Sequence, residues 1–73
     1  MNDQPQHKTY GYTWFTTGRG ELLCLVAMNN GYEDKAYIGV CRGVDEEEDV
    51  KHTLDHGAKF PFKQAMEVIG VRK

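Results

Sequence analysis

The chain contains no serine, so no Ser-His-Asp arrangement is possible in it. Cysteine is scarce. Cys24 and Cys41 are the only two, with sixteen residues between them, and the short Cys-x-x-Cys spacing of a structural zinc site is missing. There is no excess of positive charge either. Nine Lys and Arg stand against eleven Asp and Glu, for a net charge of −2, whereas nucleic-acid modules usually carry a basic patch. The longest apolar run, residues 22–28, falls far short of the ~20 residues of a membrane-spanning helix. The polar opening Met1-Asn2-Asp3-Gln4-Pro5-Gln6 lacks the apolar core of a secretory signal. These absences predict a cytoplasmic protein with reduced thiols, no cofactor and no membrane partner.

What the chain does have is β-type sequence cut by glycine turns. Residues 10–17 alternate Tyr10, Tyr12, Trp14 and Thr16 with Gly11, Thr13, Phe15 and Thr17. Gly18-Arg19-Gly20 is a hairpin turn, and residues 21–28 are apolar on both faces, which marks a central strand. Asn29-Asn30-Gly31 signals a second turn before a third strand over residues 35–42. Gly39, in the middle of that strand, marks a bulge or a close approach by another element. Asp45, with Glu48 three residues on, has the spacing of a capping box, and Gly57 would stop the helix that it starts. Val50 and Leu54 are the apolar anchors of that helix, with Ala58 at its end. Residues 60–71 fit helical spacing through Phe62, Ala65, Met66 and Ile69, and period two through Phe60, Phe62, Met66 and Val68. Their composition, with Pro61 suited to a first turn, favours a short helix.

The expected architecture is α+β: a three-stranded antiparallel meander followed by one or two short C-terminal helices packed on one face. Residues 1–8 read as a mobile tail and residues 9–73 as one small domain. At 73 residues such a domain has a stability of only a few kcal/mol, roughly 0.1 per residue. A deep substrate pocket would remove much of its core, so a surface that binds another macromolecule is the easier function. No enzyme is expected.

Four constellations carry possible chemistry. Asp45-Glu46-Glu47-Glu48-Asp49 is either an acidic contact patch or the ordinary gathering of carboxylates at a helix N-terminus, each contributing about 0.3–1 kcal/mol. Tyr10, Tyr12 and Trp14 form an aromatic face that can stack bases, anchor a protein interface or join the core, with Trp14 the best core candidate. Cys24, Cys41, His52 and His56 would make a zinc set if the second hairpin brings the thiols opposite one another. The usual short spacing is absent, so the leading reading is two thiols packed as small apolar groups, with no metal expected. Gly18-Arg19-Gly20 lacks the spacing and strand–helix setting of a phosphate loop. The residues selected as partner-binding are Tyr10, Tyr12, Trp14, Glu46 and Glu47.

A short, mildly acidic, cysteine-poor α+β chain with a polar tail and no catalytic motif resembles the small host-takeover proteins of lytic phages. Within that group it is similar to the regulators that bind bacterial RNA polymerase. The resemblance lies in overall character, so it carries no residue role across. It implies a polymerase subunit as partner, and inhibition of transcription or antitermination as the effect. The alternative is a small zinc- or single-stranded nucleic-acid-binding module.

Overall fold

The computed structural model describes residues 8–70. β1 (Lys8–Thr16), β2 (Leu22–Asn29) and β3 (Asp34–Val40) are followed by α1 (Glu46–His56), β4 (Ala58–Phe60) and α2 (Phe62–Ile69). The four strands form one antiparallel sheet in the order β1-β2-β3-β4. The α+β class and the meander are as the sequence predicts, with β4 added as a short fourth strand. Lys8 belongs to β1, opposite Asn29, and not to a tail. The rest of the tail expected over residues 1–8 lies outside the described residues.

Local hydrogen bonds set both turns. Thr17 N–H bonds Glu21 C=O and Gly20 N–H bonds Thr17 C=O, each at 2.9 Å, with Gly20 at φ 86°. That is a three-residue hairpin loop closed by a left-handed glycine. In the second turn Asn30 Oδ1 accepts the N–H groups of Tyr32 and Glu33 at 2.8 and 2.9 Å. The loop is tighter than residues 29–34, because Asn29 already pairs with Asp34. The register therefore puts Cys24 opposite Gly39, while Cys41 N–H bonds Leu22 C=O at 3.0 Å. Cys24 and Cys41 are thus diagonal neighbours on one face. They are not directly opposed, as closure by residues 31–34 would have them, because the turn lies one residue earlier, over 30–33.

The helices do not share a face. Leu25, Ala27, Ala36, Ile38 and Phe60 meet Phe62, Ala65, Met66 and Ile69 of α2 in the main apolar cluster. Cys24 and Gly39 point the other way by strand alternation, and α1 covers that side. A Cβ on Gly39 would lie 3.4 Å from Gly57 Cα and 3.8 Å from Thr53 Oγ1. This correction follows from β2 itself. Its five consecutive buried residues, Cys24 to Met28, need cover on both sides, and one helix serves each.

α2 follows the helical spacing, and it ends at Gly70, whose φ of 85° is the left-handed cap. α1 departs from expectation. Its buried residues are Asp49 and Thr53, with Val50 and Leu54 only half-buried beside them. Asp45 stands at the N-cap without a side-chain capping bond, so the capping box does not form. The first turn relies instead on Glu46, Glu47, Glu48 and Asp49 facing the positive end of the helix dipole. Ala58 belongs to β4, because Gly57 ends the helix at a point with no room for a side chain. A Cβ there would come 2.5 Å from Thr53 O and 2.9 Å from Ile38 O.

Candidate partner-binding site

Tyr12 and Trp14 stand two residues apart on β1 and share the α1 face. Their rings meet edge to face with centroids 5.2 Å apart and planes at 78°. Tyr12 Oη donates to Glu46 Oε1 at 2.8 Å, tying the edge strand to the first turn of α1. That bond, and then the Glu46 charge, raise the Tyr12 pKa and keep the phenol protonated. Thr9, Tyr12, Glu46, Glu47 and Val50 line an open groove of ≈ 400 Å³ between β1 and α1. Its floor is ring and aliphatic carbon, and its wall is carboxylate.

Tyr10 lies elsewhere. The β1–β2 register shifts between Thr9 and Gly11, so Tyr10 is the extra residue of a bulge. A bulge breaks strict alternation and re-aims the side chain at that point. Tyr10 turns to the α2 side, where its ring meets Phe62 edge to face at 5.7 Å. Its hydroxyl donates to Asp34 Oδ1 at 2.8 Å, and this bond, followed by burial, raises its pKa. The structure therefore brings Tyr12, Trp14, Glu46 and Glu47 to one side of the sheet and places Tyr10 on the other.

Trp14 is half-buried, and its Nε1–H is enclosed without a well-formed hydrogen bond. The indole does lie near enough to Cys41 to favour that thiolate. Burial is the largest influence on Cys41 and pushes its thiol up; a Gly43 backbone hydrogen bond opposes it, and the Asp49 charge adds to it. Burial likewise raises Cys24, against a hydrogen bond from Thr53 that favours the thiolate. Both are free thiols whose surroundings favour the protonated form, the opposite of an activated nucleophile. His52 and His56 sit on the exposed part of α1 with ring centroids 4.9 Å apart. Among the described residues, no three His, Cys, Asp or Glu side chains are gathered as metal ligands.

Sequence reasoning missed two groove residues. Thr9 falls just before the strand expected over residues 10–17, and Val50 is expected only as an apolar anchor of its helix. The contact of Tyr12 with the start of α1, which pulls both into the groove, leaves no local signal across 34 positions of chain. A second surface also escaped notice. Phe15 pairs with Leu23, and Leu23 with Val40, so the three form a row across the α2 face. The eight residues of α2 span only about 12 Å, and they leave Phe15 and Val40 at this end 38% and 55% exposed.

Comparison with protein families, curated proteins and solved structures finds no match to this chain. No helix of the described residues is long and apolar enough to cross a membrane.

Proposed function

We propose that this small α+β domain is a non-enzymatic module that binds a larger protein, with the groove between β1 and α1 as its contact surface. The observation that carries the reading is the pairing of Tyr12 with Glu46 at 2.8 Å, which fixes an aromatic anchor beside two exposed carboxylates. Aromatic anchors supply much of the energy at protein interfaces, and rim charges steer encounter. The carboxylates of Glu46 and Glu47 beside Tyr12 repel phosphate, which favours a protein partner over single-stranded nucleic acid. The resemblance to phage regulators makes bacterial RNA polymerase the first partner to test, with inhibition or antitermination as the effect.

The test is binding of the purified chain to core RNA polymerase, alongside affinity capture from bacterial lysate. Parent, Tyr12→Ala and Glu46→Lys/Glu47→Lys are compared, with circular dichroism as the folding control. The reading expects both folded variants to lose binding. A partner held equally by all three places the interface elsewhere, and catalytic turnover by the chain alone contradicts the reading.

A further inference from the structure

β1 is an edge strand of nine residues, and among the described residues no strand pairs its outer side. Antiparallel pairing alternates the direction of backbone groups along a strand. Thr17 N–H points inward to Glu21 C=O, so Phe15 and Thr13 also point inward. Tyr12, Trp14 and Thr16 must then turn their N–H and C=O groups to the open edge. Natural edge strands are usually guarded by lysine, proline or inward charge. From Tyr12 to Thr16 this edge carries none of these. Its bulge lies further back, at Tyr10.

The groove of Thr9, Tyr12, Glu46, Glu47 and Val50 lies beside the same edge. A strand added next to β1 would direct every second side chain toward the α1 face. A lysine or arginine there can lay its aliphatic stem on the Tyr12 ring and Val50, with its charge at Glu46 and Glu47. A second copy of this chain fits less well, because its own Glu46 and Glu47 would approach the same dyad as like charges.

We infer that the open edge of β1 takes an extended, basic segment of the partner protein as an added strand, with a lysine or arginine of that segment seated in the Tyr12–Glu46–Glu47 groove. The inference rests on the protein-binding reading and specifies its ligand chemistry. β-Strand addition draws affinity from main-chain bonds and specificity from alternate side chains.

The probe is a short, end-blocked peptide alternating threonine and lysine, titrated into the isotopically labelled full chain and followed by amide NMR. The expected result is shifts, and slowed hydrogen exchange, at the Tyr12, Trp14 and Thr16 amides. Two changes should each weaken binding about tenfold or more: Glu46→Lys/Glu47→Lys in the protein, and replacement of the peptide lysines by glutamate. N-methylation of alternate peptide amides should abolish the exchange protection while leaving the protein untouched. Thr16→Pro removes an outward N–H without breaking a β1–β2 bond, and should act in the same way. Three results overturn the inference: no response of these amides at millimolar peptide, equal binding of the N-methylated peptide, or a concentration-dependent dimer that occupies the edge. Lysate capture separates the two levels. A partner retained equally by parent and Thr16→Pro defeats the added strand and spares the protein-binding reading, whereas no partner for the parent defeats both.

Discussion

The two faces of the sheet are built from different chemistry. On the α2 side lie Leu25, Ala27 and Ala36, with Ala65 of the helix itself, ringed by Phe60, Phe62, Met66, Ile69 and Tyr10. On the α1 side lie Cys24, Val26, Met28 and the buried Thr53 and Asp49, with Trp14 and Cys41 half-buried at the margin. Apolar burial stabilises both sides at about 25 cal/mol per Å², and the α1 side also buries the polar Asp49 and Thr53. The α1 face also holds the hydroxyl–carboxylate contact that shapes the groove.

The largest test of that contrast is Leu25→Ala. Leu25 is fully buried in the α2-side cluster, and its truncation should cost about 2–5 kcal/mol. A chemical denaturation midpoint unchanged by it would break the comparison. Gly57→Ala comes next. The new methyl would collide with backbone oxygens of Thr53 and Ile38, displacing α1 from the sheet at about 1–3 kcal/mol. Circular dichroism melting should show that loss, and NMR should locate the changes on the α1 face rather than in the α2 cluster.

A pH profile sharpens the comparison at smaller magnitude. Cys24 and Cys41 are both raised by burial, so each folded thiol titrates above its unfolded value. Their contribution is complete below the ordinary thiol pKa of about 8.5 and is lost as pH rises through the folded values. Stability should therefore fall on the alkaline side. The slope should be shallower in Cys24→Ala/Cys41→Ala, whatever the absolute stability of that variant. Tyr10 and Tyr12, also raised, extend the decline to still higher pH. The smallest effect separates the two tyrosines. Tyr10→Ala removes packing against Phe62 and should lower the melting temperature, while Tyr12→Ala should lower it less and affect binding more.

Much of the fold was legible because its signals are local. Gly20 in the first turn, the Asn30 side chain in the second, the doubly apolar β2 and the Phe62-Ala65-Met66-Ile69 stripe all mark their elements within a few residues. The division of the helices between faces was also present in β2, whose two apolar faces require two covers. It was overlooked because α1 lacks an apolar stripe and meets the sheet through Asp49 and Thr53. The placement of Tyr10 was not legible. One bulge residue reverses its facing, and nothing in Thr9-Tyr10-Gly11 beyond the glycine announces it. β4 escaped for the same kind of reason: three residues between Gly57 and Pro61 are a strand only because β3 leaves an edge beside them.

Native-state hydrogen exchange along β1 tests the central claim, that the edge proposed for strand addition is open from Tyr12 to Thr16. Thr13 and Phe15 amides, which face β2, should be protected nearly as well as those of β2. Tyr12, Trp14 and Thr16 amides should exchange at close to the rate of unstructured peptide. Strong protection at those three positions in the isolated monomeric chain would show the edge already paired, and would contradict the account.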